Sequence, residues 1–234
     1  MPTVLLVRHG RTTANTAGVL AGWTAGIGLD DTGQAQADAL ATRLTGLRVV
    51  RLVSSPLERC MQTAATLAQT LTIPVTVDER LGEARYGEWT GRALKDLART
   101  RLWRVVQDHP SAAVFPGVDG EAMAAVQARS VEAIREHDRA VAAQHGDGTV
   151  WLAVSHGDVI KSVLADALGA HLDSFQRLVV DPCSVSIVRY TPLRPFVIRL
   201  NDTGGSLDGL RTRRRPRRHG SDAAVGGGAG DADS

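Results

Sequence analysis

"LLVRHGRTTAN", residues 5–15, starts as a buried strand and stops abruptly at reactive groups. Leu5, Leu6 and Val7 follow one another without a polar break, the pattern of a strand covered on both faces of a sheet. Arg8, His9 and Gly10 come next. A cation, an imidazole and a glycine where an apolar strand ends put chemistry at a sheet edge, so the rest of the chain has to supply both the sheet and the partners.

The sheet is legible. Strand-like runs occur at 3–7, 49–55 ("VVRLVSS"), 74–78, 149–155 ("TVWLAVS"), 184–190 and 196–200, mostly with helical segments between them. The segment 31–44 reads as a helix with Ala35, Ala39 and Leu40 on one face and Asp31 or Thr32 as N-cap. Residues 56–71 open with Pro56 in the first turn and carry a stripe of Cys60, Ala64, Leu67 and Leu71. A long alanine-rich helix is expected over 119–146, and another over 157–169 that ends at Gly169. Alternation of this kind predicts an α/β fold with a largely parallel sheet. Residues 81–118, with Trp89, Trp103, Pro110 and Phe115, read as a lid-like excursion over the sheet edge.

Composition narrows the partners. The chain has 234 residues and a formal net charge of +2. From Thr203 onward six arginines, all within 211–218, stand against Asp208, Asp222, Asp231 and Asp233, which accounts for that +2 and leaves residues 1–202 neutral. A folded part of that balance does not point to specific nucleic-acid binding. Residues 203–234, rich in Gly, Arg, Asp and Ala, are expected to be a disordered tail. Two cysteines, Cys60 and Cys183, make no disulfide framework. With neither a signal-peptide pattern nor a long apolar run, the expectation is a cytoplasmic protein without a membrane partner.

Two strands end alike, the first in His9-Gly10 and the 149–155 strand in His156-Gly157. In a parallel α/β sheet, ligands bind outside the carboxyl ends of the strands, so the two histidines are expected to meet. The 49–55 strand empties at the same edge and leads to Arg59 about one turn into the next helix. Two histidines, Arg8, Arg59 and nearby helix N-termini suit a phosphoryl group, because guanidinium forks match phosphate oxygens and helix N-termini favour anions. One imidazole can attack phosphorus while the other stabilises charge on the transferring group. What this set lacks is an acid for the leaving oxygen.

"LVRHGRTTAN", "SSPLERCMQTA", "LGEARYGEWTG" and "AVSHGD" together, in this order, resemble the signatures of the histidine phosphatase (phosphoglycerate mutase-like) superfamily over roughly residues 3–200. The resemblance implies a three-layer sandwich with a mostly parallel central sheet, occupying residues 1–202. It implies His9 as nucleophile and phosphohistidine, with Arg8, Arg59, His156 and Asn15 on the phosphoryl oxygens. The family's proton donor falls on Glu83 of the E-x-x-x-G pattern that ends at Gly87. No metal and no cofactor are implied, and the partner is a small phosphorylated substrate.

Departures from the true mutases favour hydrolysis. Arg11 stands where their R-H-G-E motif has glutamate, Ala84 where an arginine follows the catalytic glutamate, and Asp158 where an asparagine follows the second H-G. Substrate contacts are expected from Asn15, Gly22, Tyr86, Gly157 and Asp158, with Gly22-Trp23 shaping the pocket rim. Asp158 puts a carboxylate near an anionic site, which disfavours highly charged substrates. Arg11 either faces solvent or lines the entrance. Glu88 is a rival acid in the same segment. Trp89, Trp103 and Cys60 read as packing residues, Cys183 as exposed, and His109, His137, His145 and His171 as surface residues.

Overall fold

The computed structural model describes residues 1–204, so the tail from 205, with its arginine run, lies outside the described residues. The elements in chain order are β1 (Thr3–Arg8), α1 (Thr13–Ala17), α2 (Asp31–Arg43), β2 (Val49–Ser54), α3 (Glu58–Leu71), β3 (Val75–Val77), α4 (Leu94–Leu97), α5 (Arg101–Asp108), α6 (Met123–His145), β4 (Val150–Ser155), α7 (Gly157–Ala167), β5 (Val185–Tyr190) and β6 (Pro195–Asp202). One six-stranded sheet has the order β3-β2-β4-β1-β5-β6. β3, β2, β4 and β1 are mutually parallel, while β5 runs antiparallel to β1 and β6 to β5. The α/β architecture read from the sequence is therefore the one observed, with an antiparallel hairpin at one edge.

Alternation along β1 explains the three layers. Val4 and Leu6 enter the core shared with Ile134 and Val141 of α6 and with Ile160, Val163 and Leu164 of α7. Leu5 and Val7 point the other way, to Ala37, Leu40 and Ala41 of α2 and Cys60, Ala64 and Leu67 of α3. A strand apolar at every position is what two covered faces require. A third cluster gathers Trp89, Leu97, Trp103, Val106 and Phe115 of the 81–118 excursion against Val159 and Ala165 of α7. Covered by sheet inside and by this cluster outside, α7 is buried at nearly every position.

Several local expectations need correction. The N-cap of α2 is Asp30, whose side chain accepts from the Gly33 amide, and not Asp31 or Thr32. The buried face of α2 is Gly33, Ala37, Leu40 and Ala41, whereas Ala35 and Ala39 are exposed. Alanine does not declare its side; the helical spacing back from Leu40 does. α3 begins at Glu58 after an extended Leu57, which leaves Pro56 before the helix and outside its first turn. α6 starts four residues later than expected, at Met123, because Glu121 and Ala122 bridge back to Phe115 and Val114. Cys183 is buried at positive φ, its amide donating to the Arg8 carbonyl at 3.0 Å. His137 is half-buried on Asp78, 2.9 Å from its carboxylate.

Candidate active site

β1, β2 and β4 lie side by side, so the residues that follow them converge at one sheet edge. His9 follows β1, Ser55 follows β2 and leads to Arg59 in the first turn of α3, and His156 caps α7 directly after β4. The imidazole centroids of His9 and His156 are 5.2 Å apart, edge to face.

Arg59 lies between them. Its Nε donates to Nε2 of His9 at 3.3 Å, and one Nη2 reaches both Nδ1 of His156 at 3.1 Å and the Gly22 carbonyl at 2.9 Å. These contacts assign both tautomers. Nδ1 of His9 is 2.7 Å from the Gly10 carbonyl, an acceptor only, so it carries the proton and leaves the Nε2 lone pair free to accept. His156 accepts on Nδ1 and therefore donates from Nε2 to Ser55 Oγ at 2.8 Å. Burial and the cations Arg59 and Arg8 hold His9 well below its ordinary pKa, so it is neutral at pH 7. Burial, Arg59 and the neighbouring His9 do the same for His156.

Glu83 closes the cluster, with Oε2 3.9 Å from Nδ1 of His156 and Oε1 accepting from the Ala84 amide at 3.0 Å. Burial, followed by repulsion from Asp158, pushes this carboxyl up to about 7, against the pull of Arg59. A carboxyl in that range holds a proton near neutrality and can give it up. Arg8 is buried beside it and anchors one Nη1 on the Val180 carbonyl at 2.8 Å.

The turn after β1 depends on close backbone approach. A Cβ at Gly10 would sit 2.4 Å from the Gly33 carbonyl oxygen, and one at Gly33 would sit 2.0 Å from that of Arg11. Thr63 of α3 accepts from the Gly10 amide at 3.1 Å and donates to the Arg59 carbonyl at 2.8 Å, so turn and arginine share one support.

The expected substrate-contact residues divide. Gly22, at φ 50°, supports Arg59 through its carbonyl, and Gly157 is the first residue of α7. Asn15 forms a capping box with Thr12, which commits Oδ1 and orients the amide nitrogen, the end that can donate to an anion. Tyr86 is fully buried and donates its hydroxyl to Asp158 Oδ2 at 2.9 Å. Asp158 is equally buried, and its charge acts on Glu83. Arg11 pairs with Asp30 at 2.9 Å and with Thr32, which explains the arginine as a brace for the start of α2. Glu88 is exposed, unlike Glu83.

Sequence reasoning missed Ser55, Thr63 and Arg129, and placed Trp23 only at the pocket rim. Trp23 Nε1 and Arg129 Nη2 both donate to the Glu83 carbonyl, at 2.6 and 3.1 Å. The serines and the threonine near the motifs were visible in "SSPLERCMQTA", but no local pattern marks an arginine inside an alanine-rich helix as belonging to the site. A cleft of about 440 Å³ is lined by Trp23, Arg85, Glu88, Thr90 and Asp119 among others, with the Arg85 guanidinium stacked 4.0 Å over the Trp23 ring; Glu83 and the two histidines are not part of its lining. Among the described residues no group of three or more His, Cys, Asp or Glu could hold a metal ion, and no helix is long and apolar enough to cross a membrane.

The family described as the Histidine phosphatase superfamily (branch 1) matches residues 4–203. The chain belongs to that superfamily. Phosphoserine phosphatase 1 of Hydrogenobacter thermophilus is 28% identical over 208 residues, covering 87% of this chain and 93% of the relative. The bifunctional protein Rv2228c of Mycobacterium tuberculosis is 34% identical over 210 residues, 86% of this chain but 54% of the relative, so this chain spans about half the length of that protein. The probable phosphoglycerate mutase GpmB of Proteus mirabilis is 31% identical over 199 residues, 81% of this chain and 86% of the relative. Among solved structures, YhfR of Bacillus stearothermophilus superposes with a TM-score of 0.76 at 26% identity, covering 86% of this chain and 98% of that one. Membership and this superposition agree with the α/β fold of phosphoglycerate mutase-like proteins.

Proposed function

We propose that the chain is a metal-independent phosphomonoester hydrolase working on a small phosphorylated metabolite through phosphorylated His9. The observation that carries the reading is the tautomer of His9: its Nδ1 proton is held by Gly10 and its Nε2 lone pair faces Arg59 and His156. An imidazole kept neutral in that orientation is a nucleophile at pH 7.

In the first step Nε2 of His9 attacks phosphorus, the bond from phosphorus to the ester oxygen breaks, and Glu83 gives its proton to the leaving oxygen. In the second, water attacks phosphorus, the P–N bond breaks, Glu83 takes a proton from the water, and inorganic phosphate leaves. Arg8, Arg59 and His156 donate to the phosphoryl oxygens, His156 after exchanging its proton to the nitrogen that faces them. Fixed guanidinium groups supply the charge stabilisation that a two-metal site obtains from ions. The cleft lined by Trp23, Arg85 and Glu88 is the proposed place for the leaving group, because its Trp23 donates to the Glu83 carbonyl. Phosphatase names among the relatives support hydrolysis.

Phosphoglycerate mutase-type transfer is the second reading, favoured by the GpmB relatives. Ala84 in place of the mutase arginine, and a cleft whose lining includes the carboxylates Glu88 and Asp119, argue against a bisphosphate intermediate held there. Phosphate release from a panel of esters in excess EDTA, wild type against His9→Ala, tests the proposal. Metal-independent release lost in the variant supports it; isomerised phosphoglycerate without phosphate release selects the mutase; release that persists in His9→Ala rejects the nucleophile.

A further inference from the structure

The segment that carries Glu83 has little regular structure of its own. A single 3₁₀ turn, Glu79–Leu81, precedes it, and the backbone then runs extended through Gly82. Buried carbonyls in such a segment need partners from elsewhere. One side chain supplies most of them. Arg129, from α6, donates from Nη1 to the carbonyls of Arg80 at 2.6 Å and Gly82 at 2.9 Å, and from Nη2 to that of Glu83 at 3.1 Å.

The rest of this guanidinium is held by Glu121, with Nε to Oε1 at 2.7 Å and Nη2 to Oε2 at 3.0 Å. Together these contacts use all five guanidinium N–H donors. Glu121 in turn grips the far side of Glu83: its Oε2 accepts from the Arg85 amide at 3.2 Å, and its amide donates to the Arg85 carbonyl at 2.8 Å. The backbone from Arg80 to Arg85 is thus pinned on both sides of Glu83 by one ion pair. Arg129 and Glu121 are mostly buried, 20% and 16% exposed at their side chains.

We propose that Arg129, locked by Glu121, is a positioning residue for Glu83, fixing the segment so that the carboxyl meets the leaving oxygen beside His9 and His156. The inference rests on Glu83 acting as the proton donor. The arrangement needs a planar fork with five divergent donors, which a lysine ammonium cannot reproduce. A displacement of the carboxyl by a fraction of an ångström weakens proton transfer without removing the phosphate site, because Arg8, Arg59 and His9 hang on other elements.

The test compares kcat/KM for phenyl phosphate and p-nitrophenyl phosphate, which share the aryl ester but differ in how much the leaving oxygen needs a proton. kcat/KM stops at formation of the phosphoenzyme, so later hydrolysis does not enter. Wild type, Glu83→Gln, Arg129→Met and Arg129→Lys are measured, each with a melting curve. In Glu83→Gln and Arg129→Met the ratio of p-nitrophenyl to phenyl phosphate should rise by roughly tenfold or more, with Arg129→Lys between them and wild type. Equal losses on both esters in Arg129→Met overturn the proposal, because a merely structural role lowers both alike. If Glu83→Gln itself leaves the ratio unchanged, the acid assignment fails and takes this proposal with it; a shifted ratio in Glu83→Gln alone sinks only the role of Arg129. Should Arg129→Met fail to fold, Glu121→Gln releases the clamp more gently and is read by the same ratio.

Discussion

The Nε of Arg59 lies 3.3 Å from Nε2 of His9, a donor aimed at the lone pair that the proposed reaction uses. In the proposed reaction a phosphoryl oxygen takes over this donor and leaves the lone pair facing phosphorus. The same cation is the largest charge effect keeping His9 unprotonated. Arg59→Ala should therefore let the His9 pKa climb back toward its ordinary value, as followed by histidine-proton NMR titration. It should also lower kcat/KM by roughly 100-fold or more through lost charge stabilisation. A His9 titration unmoved by the substitution would show that burial and Arg8 hold it neutral without Arg59.

As the proposed proton donor, Glu83 should set the alkaline side of activity. With its carboxyl pushed up to about 7, the donor is protonated below that pH and increasingly ionised above it. Both histidines are already neutral there, so kcat/KM should be level near pH 6 and fall about tenfold per unit well above 7. Glu83→Gln should abolish that limb and lower kcat/KM for poorly activated esters by roughly 100- to 10,000-fold. A limb at the same pH in Glu83→Gln would assign it to another group.

The same shift is a statement about stability. Glu83 in the unfolded chain ionises near 4.5 and in the folded protein near 7, so between those values the native state binds the extra proton. Stability is then lost as pH rises from about 4.5 to 7, and no further above. The histidines act oppositely: their lowered values mean stability lost as pH falls below 6.5. Glu83→Gln should consequently be more stable than wild type at pH 8 and nearly equal at pH 4.5. A gain of about 3 kcal/mol, the order that such a shift carries, would raise Tm by roughly 6–12 °C in a chain of this size. Melting curves at the two pH values decide it, and a difference that does not depend on pH contradicts the assignment.

Gly33→Ala tests the turn after His9. Its Cβ would meet the Arg11 carbonyl oxygen at 2.0 Å, backbone against backbone, although a helix interior ordinarily prefers alanine. Overpacking should cost about 1–3 kcal/mol and displace His9 as well. Both Tm and kcat/KM should fall; a stabilised variant with full activity would show that the turn yields freely.

How much of this was legible in the sequence follows from where the information is local. β1 and β4 announce themselves because burial on both faces leaves no polar position, and the H-G pairs that follow them mark the sheet edge. α2 was misread at Ala35 and Ala39 because alanine fits either side of a helix, so only the spacing back from Leu40 decides which face is buried. Asp30 was missed as a cap because two later residues were equally good candidates on propensity. Asp158 was expected near the anion from its place after His156; its pairing with Tyr86, 72 residues away, is a tertiary fact. Arg129 is the extreme case: nothing within α6 distinguishes it from Arg135 or Arg139, which lie on exposed turns of the same helix. Its role exists only once the 80–85 segment is folded against it.

In the proposed mechanism the phosphoryl group passes through His9. The most direct measurement is to quench the enzyme during turnover of a ³²P-labelled ester and map the label. The expected result is a phosphoenzyme that is stable in alkali and labile in acid, carried on the peptide containing His9 and absent from His9→Ala. Phosphate release at full rate with no labelled protein, or a label on any other residue, would contradict it.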